Sequence, residues 1–208
     1  MKGIAVLRMV LLLPVVIATS LAHAGPTVCF EAESATTLVA LMQIGNAATA
    51  STNKTWSAVT GASGDSYIEI PQASVTKNVG KPTDTHKTPL PGSATFEFRV
   101  SAGGMHQLWC RVWWLDACGN SANISLDGAR PFSFGQDRTF KAWHWVRAPK
   151  RLKQLDLSEG KHSMVISARE DGIRIDQILL TDDEDFVPVG IEDVTDDQEP
   201  KEAKSNGT

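Results

Sequence analysis

The amino-acid sequence predicts an all-β fold, an antiparallel sandwich or barrel, and three observations carry that expectation. Short apolar runs with a period of two recur along residues 27–181. Turn signals separate them, among them Ala102-Gly103-Gly104, Asp127-Gly128, Ser158-Glu159-Gly160 and Asp171-Gly172. No stretch shows an apolar stripe at helical spacing with caps at its ends. Many short strands divided in this way suit a sandwich or barrel.

The chain opens with a segment outside this pattern. Lys2 and Arg8 give a positive start, residues 9–22 are apolar, and Ala22-His23-Ala24 is a small-x-small cleavage site. These features predict a signal peptide over 1–24, cleaved on export, and a secreted product (extracellular, periplasmic or cell-surface). The apolar run is short for a bilayer and no second one follows, so no membrane span is expected after cleavage. Residues 25–181 have the length of a single domain.

Within that domain each run has its own logic. Residues 27–33 alternate into Glu31 and Glu33, and Cys29 reads as a small buried hydrophobe. Residues 35–44 offer at most a helical turn or two, because β-branched residues and the following Gly45 oppose more. Tyr67-Ile68-Glu69-Ile70 is a strand closed by Pro71, with Tyr67 at a strand-edge core position. Residues 71–93, rich in Lys, Thr and Pro, form the one long loop. Residues 95–100 alternate strictly, with Phe96, Phe98 and Val100 on one side and Glu97 and Arg99 on the other.

Residues 108–120 hold three of the six tryptophans. As a strand, this segment puts Leu108, Cys110, Val112 and Trp114 on a core face and Trp109, Arg111 and Trp113 on the other. The second face is too aromatic for a wetted surface and too charged for a core. Arg111 is placed to stack between Trp109 and Trp113, and the loop that follows carries Asp116, Gly119 and Asn120. Trp114 and Trp145 read as core, while Trp109, Trp113 and Trp143 fall on an outer face or rim. Residues 122–126 run into the hairpin signal Asp127-Gly128. Further strands follow at 143–146, 161–168 and 173–180. In the last, Ile173 and Ile175 share one parity and Ile178 and Leu180 the other. Either both faces are covered or a bulge lies near Asp176.

Charge is unevenly divided. Residues 182–208 carry ten acidic side chains and two lysines, against 14 acidic and 16 basic in 25–181, so the acidity belongs to a solvated, flexible tail. No basic stripe is interleaved with the aromatics, which excludes nucleic acid as a partner. Three cysteines leave at least one unpaired; Cys110 and Cys118 can bridge only if the chain doubles back after Trp114. His106, His144 and His162 stand in strands without Cys or carboxylate at ligand spacing. Asp116, Asp127, Glu170 and Asp171 could be imagined as acid/base pairs, but Asp-Gly here is turn chemistry and no nucleophile motif is present.

Taken in order, several motifs carry a family likeness: Phe-Glu-Ala-Glu at 30–33; Gly-Asp-Ser-Tyr-Ile-Glu-Ile at 64–70; the Trp-x-Arg strand after Gly104; Leu-Asp-Gly at 126–128; Trp-x-Trp-Val at 143–146; Leu-Ser-Glu-Gly-Lys-His at 157–162; and Arg-Ile-Asp-Gln-Ile-Leu-Leu-Thr at 174–181. This arrangement resembles the family-6 and family-35 carbohydrate-binding modules. The resemblance implies a galactose-binding-like jelly-roll β-sandwich of two antiparallel sheets that binds a polysaccharide or glycan without catalysis. It further implies a structural calcium ion (Ca2+) at Glu31, Glu33 and Asp176. Oxygen-rich sites at two chain ends suit calcium, although Glu31 and Glu33 pointing outward to lysines is the alternative. The resemblance places sugar at the loop end between two aromatic rings. Trp113 or Trp114 matches the first and Phe140 or Trp143 the second, with Asn120 the nearest amide and Asp116 beside it. One departure stands out: the last inter-strand loop reads Arg169-Glu170-Asp171-Gly172, with no asparagine, which would shift preference toward cationic or calcium-bridged ligands. A cell-surface structural or protein-interaction module, its partner a cell-surface protein, is the alternative on the same fold.

Overall fold

A computed structural model describes residues 27–47, 56–74, 92–150 and 152–195. The expected signal peptide, most of the expected long loop and the last 13 residues lie outside these. The strands are β1 (Thr27–Glu31), β2 (Thr37–Val39), β3 (Gln43–Asn46), β4 (Ser66–Ile70), β5 (Ser93–Val100), β6 (Gly104–Met105) and β7 (Gln107–Trp114). They continue as β8 (Ser121–Leu126), β9 (Phe132–Gly135), β10 (His144–Arg147), β11 (Asp156–Leu157), β12 (Gly160–Ala168) and β13 (Ile173–Thr181). Two antiparallel sheets dominate. One runs β10-β7-β13-β4-β3 with β1 also on β13; the other runs β2-β5-β12-β8-β9. The all-β expectation holds, in its sandwich form.

The core lies between the sheets. From the large sheet come Phe30, Ile68, Ile70, Leu108, Cys110, Val112 and Trp114; from the other come Phe96, Phe98, Val100, Ile124, Leu126, Phe134, Met164 and Ile166. Phe30 bridges the layers, its ring 5.6 Å from Phe96 and 5.8 Å from Phe98. The period-two pattern of β5 and β7 produces this directly, because alternate side chains leave a pleated strand on opposite faces.

β13 organises the large sheet. One edge pairs with β7 along its whole length; the other pairs first with β4 through Ile173, Arg174 and Ile175, then with β1 from Gln177 to Thr181. The register slips between Ile175 and Gln177, so Asp176 is the extra residue of a bulge. That slip explains the change of parity: Ile173, Ile175, Ile178 and Leu180 all reach the core, while Leu179 joins a second cluster with Cys29 and Trp109 on the outer side. Both faces of β13 are covered as well, since all nine of its residues are buried.

The fold departs from the sequence reading in several places. Residues 35–44 contain no helix; they supply β2 and the start of β3, so the β-branched residues prevailed. β9, which the sequence did not announce, completes the hairpin at Asp127-Gly128, both with positive φ. The Asp171-Gly172 turn carries the chain from one sheet to the other. Gly172 has φ +76, and a Cβ there would stand 2.6 Å from Gln72 Oε1, so both conformation and crowding demand glycine. The expected tail is in part structure: residues 182–195 form a strap across the outer side of the large sheet. Thr195 N donates to Cys29 O at 2.9 Å, Gln177 Nε2 to Glu192 O at 2.8 Å, and Trp145 Nε1 to Gly190 O at 2.9 Å. Acidic composition did not prevent this because backbone groups and Phe186, packed on the outer cluster, make the contacts. Trp145 is thus half-buried under the strap rather than in the core. All three cysteines are free; Cys29 and Cys110 are buried and Cys118 is exposed, so Cys110 and Cys118 do not bridge.

Candidate functional site

Three groups of side chains around β13 and its neighbouring loops carry the chemistry. The first lies where β13 changes partner from β4 to β1. Glu31 ends β1, Glu33 sits in the 3-10 turn that follows, and the bulge delivers Asp176 beside them. Asp176 is buried, accepting from Ser63 N at 2.9 Å and from Arg111 Nη1. Glu31 Oε1 accepts from Ser63 Oγ at 2.6 Å and Gln177 Nε2 at 3.2 Å. Glu31 Oε2 and Glu33 Oε2 are buried with no partner. Burial, chiefly, and then the neighbouring Glu31 and Asp176 push the Glu33 carboxyl up to about 7. Burial raises Asp176 to about 6, against the opposing pull of Arg111. Three carboxylates and one guanidinium leave a formal charge of −2, and two of the carboxylate oxygens are buried without a partner. That donor set fits a hard divalent cation. Among the described residues no three His, Cys, Asp or Glu side chains close on one point, so an ion would draw Glu31 and Glu33 inward.

The second group is the outer face of the large sheet at this end. Arg174, fully buried, stands 3.6 Å from the Trp56 ring centroid and 4.4 Å from that of Trp113, with Tyr67 at 5.5 Å. Its Nε donates to Glu69 Oε2 at 3.1 Å and its Nη2 to Ser57 O at 2.5 Å. Glu69 also accepts from Trp56 Nε1 at 2.8 Å. Tyr67 then meets the Trp143 ring at 5.5 Å, and Arg111 lies 5.3 Å from that ring. Trp143 Nε1 donates to Thr60 O at 2.9 Å. Trp113 and Trp143 are therefore joined by one ladder of rings and cations that ends on Asp176. Both rings remain half-buried rather than covered. Arg111 stacks on Trp143, not between Trp109 and Trp113; the cation on Trp109 is Arg147, at 5.3 Å. Tyr67 is buried, as expected, but within this outer layer.

The third group is the loop end. Asp116 is exposed and accepts from Cys118 N in an Asx turn at 2.8 Å. Asn120 is 8% exposed; its Nδ2 donates to Asp137 O at 3.0 Å and its backbone N to Glu170 Oε2 at 3.1 Å. Glu170 also binds Ser121 Oγ at 2.6 Å and Arg169 at 2.8 Å, so its carboxylate is committed to holding loops together. Phe140 is half-buried against the core. Trp114 is 0% exposed and belongs wholly to the core, which leaves Trp113 as the ring of that pair with surface to offer.

The sequence reading missed Trp56, Glu69 and Arg174. A lone arginine in the apolar run Ile173-Arg174-Ile175 was a usable signal, since a buried cation requires partners. Trp56 stands in a segment with no strand pattern and gave none.

Elsewhere, a cavity of 330 Å³ opens on the other sheet, lined by Glu97, Phe98, Arg99, Asp127, Lys161, His162 and Ser163. Its one aromatic carbon ring, Phe98, is buried, so no apolar platform faces it. Among the described residues no helix is long and apolar enough to cross a membrane.

The molecule is thus an antiparallel β-sandwich with an aromatic and cationic layer on one outer face. No family model matches the sequence. It is 26% identical over 147 residues to an uncharacterized protein of Formosa agariphila, covering 62% of this chain and 35% of that protein. The chain therefore spans about a third of the length of the curated relative it matches. Similar solved structures include carbohydrate-binding modules. A family 35 module from Clostridium thermocellum gives 15% identity, 74% of this chain, 97% of that chain and a TM-score of 0.48. The C-terminal family 6 module of a laminarinase from Zobellia galactanivorans gives 14%, 75%, 99% and 0.45. An exo-beta-1,3-galactanase from Phanerochaete chrysosporium, crystallised with galactose, gives 17%, 74%, 29% and 0.46. The sandwich itself is established by its sheets and their registers; these distant likenesses add nothing about residues.

Proposed function

We propose that this protein is a secreted, non-catalytic carbohydrate-binding module that stacks glycan rings on Trp113 and Trp143 and carries a structural calcium at Glu31, Glu33 and Asp176. The observation that carries the reading is the cation–aromatic ladder. It fixes two half-buried indoles through Arg174, Tyr67 and Arg111, so a ligand meets rings that are already ordered. Sugars combine apolar ring faces with hydroxyl edges, and a preformed aromatic surface with nearby polar loops answers both. Asp116 is the exposed polar group of the adjoining loop. Asn120 and Phe140 support the loops instead, one through its committed amide and the other through core packing. Export rests on the Ala22-His23-Ala24 site and the apolar run before it.

Binding without turnover is supported by the state of the loop carboxylates. Glu170 is held by Asn120, Ser121 and Arg169, and Asp116 closes a turn. The calcium reading rests on the two orphaned buried oxygens of Glu31 and Glu33. The ion would supply positive charge and coordination there, joining β1 to β13. A glycan array read with tryptophan-fluorescence titration tests the proposal, with calcium and with chelator. Trp113→Ala and Trp143→Ala should each weaken binding at least about tenfold, as loss of a stacking ring demands. A blank array, or unchanged binding in both variants, would overturn it.

A second reading has its own observation. Val187, Val189, Ile191 and Val194 on the strap are 44–79% exposed, more than solvent-facing aliphatics need be. A protein-interaction module at the cell surface would use such a ridge, and a blank array together with a captured protein ligand would favour it.

A further inference from the structure

His144 begins β10, directly after the loop that carries Phe140 and Trp143. Its two ring nitrogens both face acceptors. Nδ1 lies 2.9 Å from Ala142 O, and Nε2 lies 2.7 Å from Asp137 Oδ2. A carbonyl oxygen and a carboxylate oxygen can only accept. A neutral imidazole has one N–H, so one of these contacts would then set lone pair against lone pair. Both bonds exist together only when both nitrogens carry protons.

We infer that His144 is a positioning residue, in its doubly protonated form, for the loop 137–143 that presents the candidate binding ring Trp143. The imidazolium ties the loop's beginning, Asp137, to its end, Ala142. Asp137 is itself a hub: its Oδ1 accepts from Thr139 N at 3.3 Å and its carbonyl from Asn120 Nδ2 at 3.0 Å. The loop's middle is fixed by Lys141 N donating to Trp114 O at 2.8 Å. Among the described residues Asp137 is the charged side chain bonded to the ring. From β7, Val112 lies in register and Trp114 stands edge-on at 6.5 Å, and neither titrates.

The consequence is directional. Acid conditions keep two donors on the ring and close the loop at both ends. As pH rises and the ring loses a proton, one bond is lost, and the Asp137 or the Ala142 end is released. The loop then samples open conformations, and Trp143 is held only by its contacts with Thr60, Tyr67 and Arg111. The structural part of this inference needs no sugar; only its effect on affinity rests on the glycan reading.

The test uses the mature protein free of ligand. Nitrogen-15 NMR of the His144 ring should show both nitrogens protonated at about pH 5.5. Hydrogen exchange of the Thr139 and Lys141 amides, corrected for intrinsic rates, should lose about tenfold protection by pH 8.5, the worth of one charge-assisted bond. His144→Gln, with a single donor group and no titration, should show the unprotected behaviour at both pH values. A ring found singly protonated at pH 5.5 overturns the inference, as does protection that stays constant while the ring titrates. Should His144→Gln fail to fold, the two wild-type measurements still decide. If glycan binding is present, it should weaken across the same interval. A pH-independent affinity beside a titrating loop would sink the site assignment and leave the loop inference intact.

Discussion

Removing any bound cation should make the stability of this protein fall as pH rises through the weakly acidic range, and Glu33 sets the size of the effect. Its carboxyl is moved from an ordinary 4.5 to about 7, mainly by burial. The folded state therefore holds a proton between those values that the unfolded chain has released. Stability gained from that proton is greatest below pH 4.5 and is lost as pH climbs toward 7. At about 1.4 kcal/mol per unit the full shift would be worth about 3.5 kcal/mol, and because Glu33 is only partly buried, solvent screening reduces this to roughly 2 kcal/mol. For a domain of this size that lowers the melting temperature by about 4 to 8 °C. Asp176, raised to about 6, acts in the same direction. If calcium occupies the proposed site it should invert the trend, because it would bind the deprotonated carboxylates, and its stabilisation should grow over the same interval. The assay is thermal unfolding by tryptophan fluorescence from about pH 5 to about pH 8, with chelator or excess calcium, in wild type and Glu33→Gln. In chelator the variant should outlast wild type at the alkaline end, and calcium should no longer help it. A chelated wild type whose melting temperature ignores pH, or a variant that still responds fully to calcium, would refute the reasoning.

Three other perturbations follow from the packing. Trp114→Ala should cost about 3–5 kcal/mol, the price of an emptied aromatic core site, whereas Trp113→Ala should cost far less; chemical denaturation of both measures the difference. Glu69→Gln leaves the buried Arg174 without its counter-charge and should cost about 3–5 kcal/mol by the same measurement, since breaking one half of a buried pair strands the other. Truncation after Thr181 removes the strap from Cys29 and Trp109, so Cys29, whose thiol burial now pushes up to about 12, should become reactive to a thiol reagent in the folded protein while Cys110 stays protected.

The parts of this fold that were legible in the sequence are those where one face of a strand meets the core. β5 and β7 declared their buried sides by alternation, and the parity change after Ile175 announced the bulge that places Asp176. The carboxylates Glu31, Glu33 and Asp176 were legible as a set only through the family likeness, yet the structure does bring their chain segments together. What stayed hidden depended on contacts across the sheet surface. Trp56 gains its role from Arg174, 118 positions later, and no local pattern encodes that pairing. Residues 182–195 look solvated because composition counts charges, while their order comes from backbone bonds to Cys29 and Gln177. Trp113 and Trp114 both matched one aromatic position of the family likeness, but alternation had already set Trp114 on the core face, where the structure keeps it.

The bonding of Thr195 to Cys29 has a consequence for how the module is mounted. The described chain begins at Thr27, register partner of Thr181, and returns by way of the strap to Cys29, two residues further along β1. Both attachment points thus sit at one pole. The antiparallel run of β7 and β13, from Gln107 beside Thr181 to Trp114 beside Ile173, sets the loops after Trp114 at the opposite pole. Polypeptide fused ahead of Thr27 or behind Thr195 would hang the sandwich like a lamp from its flex, by the pole opposite the loops after Trp114.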